Sequence, residues 1–387
     1  MKNRTNLYEP YLTKSDNFFI KKSIDEGWVS TAGKNIDKFE KKISDFVKVK
    51  YCLALNSGTS SLDISLKVLG VNSNHTVLVP SATFIAPINA ILYNQAEPIF
   101  FDIDENLNIN TSDVIKFLRE ETIKKGDLLI SKKNKKIIKA IIIVHVFGKP
   151  ADIFALKEIC KLNNIKLIED ASESLGSYYI KNKNKIHTGI IGDIGCLSFN
   201  GNKIITTGSG GMLMTNNKSY YKQAKYLSTQ SKDNAVYFIH NNVGYNLRMN
   251  NISASLGLSQ LNKIDYILSK KQDDYKLYQK LITNQNLELM QPTKNTISNN
   301  WLNIIKIKKK ISFNKLKRII KILHEQNVYV RPLWYPNHLQ KFLKKYIRYN
   351  LQSINSIFTQ IICLPSSPSL KNKTIIEISK IINKIKI

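Results

Sequence analysis

The sequence contains few cysteines and no long apolar run. Four cysteines, Cys52, Cys160, Cys196 and Cys363, are scattered over 387 residues, and no two of them form a CxxC pair. This spacing predicts free thiols in a reducing cytoplasm, with neither a disulfide framework nor a metal site. No apolar stretch reaches the roughly 20 residues of a membrane-spanning helix, and residues 1–19 lack the apolar segment of a signal peptide. We therefore expect a cytoplasmic protein without membrane insertion.

Acidic residues are also scarce, because 29 Asp and Glu stand against 58 Lys and Arg, which gives a formal net charge of +29. Such a charge is compatible with a nucleic-acid or acidic membrane partner. The lysines are spread over the chain, however, and the denser runs at 132–136, 181–185 and 306–310 contain none of the stacking aromatics of a single-strand-binding groove. We expect a solvated surface charge and no nucleic-acid partner, and nucleic-acid binding remains a distant alternative.

The rest of the chain alternates between strand-like and helix-like segments. Short apolar runs such as 51–55, 97–101 and 140–144 are separated by helical patterns, and this alternation predicts a parallel sheet covered by helices on both faces. The length favours two units. We expect a large α/β domain over residues 1–250 and a smaller α+β domain over residues 251–387, entered by one long helix that begins at residue 251.

The stretch 168–215 carries the strongest chemical pattern. Asp170 ends a short apolar run, and Lys203 lies between the strand-like segment 196–199 and a glycine-rich turn at 208–211. An enzyme that uses pyridoxal phosphate (PLP) needs a lysine to hold the aldehyde as a Schiff base, and a carboxylate to keep the pyridine nitrogen protonated. We predict these roles for Lys203 and Asp170. A helix cap is the structural alternative for Asp170.

A second motif follows the predicted strand 51–55. The chain there reads Asn56-Ser57-Gly58-Thr59 and then begins a helical pattern. Free N–H groups at a helix N-terminus, approached closely at a glycine, form a phosphate site. We assign Gly58 and Thr59 to the PLP phosphate, although a simple serine cap would explain the same letters.

These motifs together resemble a known family. IEDASESLG, followed by GDIGCLSFNGNKIITTGSGGM, is similar to the DegT/DnrJ class of nucleotide-sugar aminotransferases, and the resemblance covers almost the whole chain. It implies the PLP-dependent transferase fold type I, with a mostly parallel seven-stranded sheet between helices in the large domain. NGNKIITT is closest to enzymes that aminate UDP-linked 4-keto-6-deoxy-N-acetylhexosamines, of the bacillosamine or legionaminic acid type, and GDP-perosamine synthases are also near.

The resemblance also implies roles for single residues. Phe84 would stack on the PLP ring, Glu173 would lie near its phenolic oxygen or the substrate, and Ser198 would contact the phosphate. Asn246 would reach the phosphate in the neighbouring subunit of a homodimer. Weaker candidates for substrate contact are Trp28, Thr31, His240, Arg248, Arg331, Trp334 and His338. A core position for Phe84 and a loop-fixing salt bridge for Arg248 are the open structural alternatives.

The implied reaction is a ping-pong transfer of an amino group from L-glutamate to carbon 4 of a nucleotide-linked 4-keto-6-deoxy sugar, with pyridoxamine phosphate as the intermediate form of the cofactor. The pathway expected is bacterial surface-glycan or nonulosonic acid biosynthesis. Related 3-dehydratases carry histidine where this chain has Lys203, so dehydration is a less favoured alternative. A GDP-perosamine-type aminotransferase and a non-catalytic regulator with the same fold also remain open. Ser209, where relatives often have Gly or Glu, is a departure from the family pattern.

Overall fold

The computed structural model describes residues 4–387. Its helices are α1 (Lys14–Asp25), α2 (Lys34–Val47), α3 (Gly58–Val68), α4 (Ala86–Tyr93), α5 (Thr111–Glu120), α6 (Phe154–Leu162), α7 (Lys218–Ser228), α8 (Asn251–Leu261), α9 (Ile264–Leu281), α10 (Phe313–Glu325), α11 (Gln352–Ile357) and α12 (Asn372–Asn383). Helices α3, α5, α7, α8 and α10 are each preceded by a serine or asparagine that caps the helix, because its side-chain oxygen accepts a backbone N–H of the first turn. Local capping chemistry in the sequence therefore sets these starts.

The strands form one large sheet and two small ones. They are β1 (Tyr51–Leu55), β2 (His75–Pro80), β3 (Glu97–Phe101), β4 (Thr122–Lys125), β5 (Leu128–Ser131), β6 (Ile137–Val144), β7 (Lys166–Asp170), β8 (Tyr178–Lys181), β9 (Asn184–His187), β10 (Ile194–Ser198), β11 (Gly211–Thr215), β12 (Leu287–Leu289), β13 (Thr296–Ile297), β14 (Asn303–Ile307), β15 (Arg331–Pro332), β16 (Ile347–Tyr349) and β17 (Ile361–Leu364). Strands β8, β9 and β13 make a three-stranded sheet beside the large one.

The large sheet has the order β1-β11-β10-β7-β6-β2-β3-β16, with the β4–β5 hairpin attached to β6. Neighbouring strands from β10 to β16 are parallel, whereas β11 is antiparallel to both β1 and β10. This arrangement confirms the predicted α/β fold class. The sheet is larger than the seven strands expected, because the hairpin and β16 extend it.

Both faces of the large sheet are buried, as the apolar runs predict. Alternate residues of one strand enter different cores: in β6, Ala140 and Ile142 pack with α3 and α4, whereas Ile141 and Ile143 pack with α5 and α6. Helices α2 and α8 cover the side of β1 and β11 that faces away from α3. The strand ends are therefore the part of the sheet at which a ligand can approach.

The register brings several strand ends to one edge. Strands β1 and β10 both run antiparallel to β11, so β1, β10 and β7 point the same way. Gly211, the first residue of β11, pairs with Leu55 on one side and Ser198 on the other, and Cys196 pairs with Asp170. The loop from β10 to β11, which contains Lys203, consequently leaves and returns at the edge where β7 and β1 end.

The C-terminal region forms its own antiparallel sheet, β12-β14-β17-β15, against α9, α10 and α12. The long helix expected from residue 251 is instead two helices, because the chain turns at Asn262 and Lys263 between α8 and α9. The domain boundary at residues 250 and 251 stays a prediction, and several connections cross it, among them the pairing of Thr5 with Val328, of β16 with β3 and of β13 with β8.

Residues 4–387 contain no helix that is both apolar enough and long enough to cross a membrane. In the same residues no three His, Cys, Asp or Glu side chains come together as a group able to hold a metal ion. All four cysteines are free and buried.

Candidate active site

A cleft lies at the edge where β1, β7 and β10 end. It gathers residues that are far apart in sequence and that come from both predicted domains. The predicted site residues that line it are Gly58, Thr59, Phe84, Asp170, Glu173, Ser198, Lys203, Arg331 and Trp334. Phe84 is 56% exposed on the cleft wall and is not a core residue. The structure thus brings the two strongest sequence motifs to one site.

One end of the cleft is the N-terminus of α3. Ser57 caps this helix, because its Oγ accepts the Ser60 N–H at 3.0 Å. A Cβ added to Gly58 would lie 2.9 Å from Ser198 Cβ and 3.2 Å from Ser172 Oγ, so only glycine leaves room there. First-turn N–H groups of a helix lack intrahelical acceptors and carry a partial positive charge. Together with the nearby hydroxyls they form a cradle that suits a phosphate group.

Asp170 forms the floor of the cleft at the end of β7. Its side chain is buried, and Oδ1 accepts the Ser172 N–H at 3.1 Å. Burial raises the pKa of Asp170, and the hydrogen bonds from Ser172 and the charge of Lys203 act in the opposite direction. A buried carboxylate with a raised pKa is stabilised in its ionised form by a nearby cation, and a protonated pyridine nitrogen would supply one.

Lys203 projects into the cleft from the loop between β10 and β11. Its backbone N–H donates to Asn200 O at 3.0 Å, and its side chain is 14% exposed. The Nζ atom lies 3.4 Å from Glu173 Oε1 and 4.2 Å from the centroid of the Trp301 ring. The amine is therefore flanked by a carboxylate and an aromatic face.

Glu173 is a buried titratable group beside this amine. Phe147 N–H donates to Glu173 Oε2 at 2.8 Å. Burial raises the pKa of Glu173 to about 7, and the charge of Asp170 adds to the rise, while Lys203 and the Phe147 N–H oppose it. The Phe147 ring stacks on Trp334, with 4.6 Å between centroids. Glu173 can therefore hold or release a proton near neutral pH within reach of Lys203.

Two predicted substrate residues are buried away from the cleft lining. Arg248 pairs with Glu40, with 2.8 Å between Nη2 and Oε1, and its Nη1 donates to Ala54 O at 2.9 Å. This matches the salt-bridge alternative for Arg248. The His338 ring is 2% exposed and contacts the Ser81 hydroxyl. Arg248 thus connects its segment to α2 and β1, and His338 connects its segment to the residue that follows β2.

Other predicted residues lie on the surface, outside the residues that line the cleft. These are Trp28, Thr31, His240 and Asn246, all exposed. The segment 236–243, which includes His240, also exposes the apolar side chains of Val236, Tyr237, Phe238, Ile239 and Val243. The role predicted for Asn246 in a neighbouring subunit stays a prediction.

Several residues of the cleft had no role predicted from the sequence, among them Ser172, Asn202 and Trp301. Ser172 lies inside the stretch IEDASESLG, and its position two residues after Asp170 was a signal that could have revealed it. Asn202 directly precedes the lysine. Trp301 lies in no recognised motif, and only the tertiary structure brings its ring to Lys203.

The known proteins that resemble this chain include sugar aminotransferases. The sequence model of the DegT/DnrJ/EryC1/StrS aminotransferase family matches residues 10–385. A GDP-perosamine synthase of Escherichia coli O157:H7 is 33% identical over 98% of this chain and 97% of its own length. A UDP-4-amino-4,6-dideoxy-N-acetyl-beta-L-altrosamine transaminase of Campylobacter jejuni is 32% identical over 65% of this chain and 63% of its own length. The PLP-form structure of the sugar aminotransferase Spr1654 from Streptococcus pneumoniae has a TM-score of 0.84 at 22% identity, covering 98% of this chain and 99% of that one.

Proposed function

The chain belongs to the DegT/DnrJ/EryC1/StrS aminotransferase family, and from that premise we propose that it transfers an amino group from L-glutamate to carbon 4 of a nucleotide-linked 4-keto-6-deoxy sugar, with PLP as its cofactor. The observation that carries this proposal is the convergence of Lys203, Asp170 and the Gly58 cradle in one cleft. Aminotransferases of this family are PLP-dependent.

The residues of the cleft fit the cofactor. Gly58 and Thr59 begin a helix whose free N–H groups suit the phosphate, and Ser198 and Ser172 add hydroxyls beside them. The buried Asp170 carboxylate suits the protonated ring nitrogen, and the exposed face of Phe84 is available for stacking. When bound, PLP supplies the electron sink and carries the amino group between the two substrates.

Three side chains of the cleft would serve the proton transfers and charges of the reaction. The free Lys203 amine would take the proton from the α-carbon of the donor amino acid as a base and, as the ammonium, would give it to the C4′ carbon of the cofactor. Glu173 lies 3.4 Å from Lys203 Nζ, and its pKa, raised to about 7 chiefly by burial, lets it take up or release a proton beside the amine near neutral pH. Asp170 keeps its negative charge at the floor of the site and stabilises the cation that withdraws electrons.

Two nucleotide sugars compete as the acceptor. The motif NGNKIITT favours a UDP-linked N-acetylhexosamine derivative, and the C. jejuni transaminase supports that choice over about two thirds of the chain. A GDP-linked sugar is the second candidate, since the E. coli GDP-perosamine synthase matches over nearly the whole chain. Arg331, at the cleft wall, is suited to the diphosphate of either.

We also propose a homodimer in the cytoplasm. The exposed apolar side chains of 236–243 form a surface that a second copy would cover, and Asn246 lies just beyond them in the chain. The four free, buried cysteines fit a reducing compartment.

The test is an absorbance spectrum of the purified protein with added PLP, before and after excess L-glutamate. We expect a visible band that glutamate abolishes, and no such band in Lys203→Ala, because the amine that bonds the aldehyde is gone. Ketosugars linked to UDP and to GDP are then offered to the aminated enzyme, and return of the band reports the acceptor. Product analysis separates amination from dehydration. A wild-type protein that forms no visible band of its own with excess PLP would contradict the proposal and favour a regulator or a nucleic-acid binder.

A further inference from the structure

Trp301 and Trp334 line the cleft near Lys203, and the buried Phe147 ring packs against both of them. We call Trp301, Phe147 and Trp334 the aromatic wall. The Trp301 and Phe147 centroids are 6.1 Å apart, and those of Phe147 and Trp334 are 4.6 Å apart. Only Trp301 among these three offers its face to the Lys203 amine, with Nζ at 4.2 Å from the ring centroid.

Hydrogen bonds fix Trp301 in this position. Its Nε1–H donates to Asn202 O at 2.6 Å, next to the lysine in sequence, and its backbone N–H donates to Asn299 Oδ1 at 2.8 Å. The side chain is 4% exposed. The ring therefore has little freedom to turn away from Lys203.

The segment that carries Trp301 is bound to the loop that carries Glu173. Asn299 Nδ2 donates to Glu173 O and to Leu175 O, each at 2.9 Å. Asn299 also packs onto Gly148, where an added Cβ would lie 1.9 Å from Asn299 Oδ1 and where φ is +83°. The two groups that flank the Lys203 amine, the Trp301 ring and the Glu173 carboxyl, are thereby held in one framework.

We propose that Trp301 is a positioning residue for Lys203, which holds the free amine between its ring face and Glu173 so that the amine points into the cleft. A lysine has a flexible four-carbon stem, and an unrestrained amine would sample positions away from the reacting atoms. Attraction of the ammonium to an indole face restricts that sampling. The inference rests on the proposed function, since it gives Trp301 a part in the same reaction.

The experiment compares Trp301→Met and Trp301→Phe. Both side chains are apolar and fill much of the space, but only Phe keeps an aromatic face. Phe342→Met is the control, because the Phe342 ring is 54% exposed and lies outside the residues that line the cleft. The first measurement is the rate at which the visible band appears after PLP is added to cofactor-free protein, and it needs no turnover. The second is the glutamate half-reaction in a single turnover, as a limiting rate and an apparent affinity.

For Trp301→Met we expect both rates to fall by about three- to thirtyfold, the range that a cation–π contact supports. The apparent affinity for glutamate should stay within about twofold, and Trp301→Phe should recover most of the rate. Phe342→Met should form the band at the wild-type rate. Equal rates of band formation for Trp301→Met and wild type would overturn the inference, as would equal losses for the Met and Phe variants. If Met at 301 prevents folding, Trp301→Leu takes its place. A wild-type protein that forms no band would count against the proposed function instead, so the two failures are distinguishable.

Discussion

The buried carboxyl of Glu173 should make the folded protein less stable as pH rises. Its pKa goes from 4.5 to about 7, chiefly through burial. Between these values the folded chain keeps the proton and the unfolded chain releases it, so the free energy of unfolding falls with increasing pH. A pKa difference of one unit corresponds to roughly 1.4 kcal/mol, so the free energy of unfolding falls by about 3 kcal/mol in total as pH rises past both pKa values. About 2.5 kcal/mol of this decrease takes place between pH 5 and pH 8.

Glu173→Gln removes this titration while keeping an oxygen that can accept the Phe147 N–H. For 387 residues, an unfolding entropy of about 2.1 cal/mol/K per residue gives about 0.8 kcal/mol per degree. Wild-type Tm should therefore fall between pH 5 and pH 8 by about 3 °C more than the Tm of the variant.

The measurement is Tm by differential scanning fluorimetry on cofactor-free protein at both pH values, because bound PLP would add its own contribution to stability. Glu325→Gln is the control, since the Glu325 side chain is 61% exposed and its substitution should leave the pH dependence unchanged. Identical falls in Tm for wild type and Glu173→Gln would refute the argument that burial holds a proton on this carboxyl.

Two further predictions concern the phosphate cradle and the Arg248 ion pair. Gly58→Ala should weaken PLP binding by about tenfold in a spectroscopic titration, because the new methyl group would lie 2.9 Å from Ser198 Cβ. Gly201→Ala is the control and should bind PLP normally, because its added Cβ meets no atom within 4 Å. Arg248→Met should lower the free energy of unfolding by about 3 kcal/mol, because it leaves the buried Glu40 carboxylate without its cation. The double variant Arg248→Met/Glu40→Gln should recover part of this loss in stability. An Arg248→Met protein with unchanged stability and a raised KM for the nucleotide sugar would show instead that Arg248 serves the substrate.

The main site could be predicted from the sequence because its parts lie at strand ends. Asp170 and Ser198 end neighbouring parallel strands, and Gly58 begins the helix that follows β1. Apolar runs and capping residues mark such ends locally, and parallel strands deliver their carboxyl ends to a common edge. Chain order and periodicity therefore pointed to Asp170, Gly58 and Lys203, whereas Ser198 was predicted from the family resemblance.

The residues whose positions were not predicted depend on contacts between distant segments. Arg248 has the same sequence context whether it meets a substrate or a carboxylate, and only the fold brings Glu40 to it. Trp301 reaches Lys203 through Asn299, which requires the left-handed backbone of Gly148. A lone tryptophan between two strands carries no periodicity that would reveal such a contact, so a sequence pattern could not distinguish it from a core residue.

The balance of charge in the cleft links these residues to the cofactor. Two buried carboxyl groups, Asp170 and Glu173, face one amine, Lys203. Burial raises the pKa of Glu173, and the charge of Asp170 adds to the rise. Without a further cation, a proton on Glu173 relieves the repulsion. A protonated ring nitrogen at Asp170 would neutralise that repulsion and favour the ionised form of Glu173. It follows that the pH-dependent difference in Tm between wild type and Glu173→Gln should shrink when the protein is saturated with PLP. An undiminished difference would mean that burial, and not the charge of Asp170, holds the proton on Glu173.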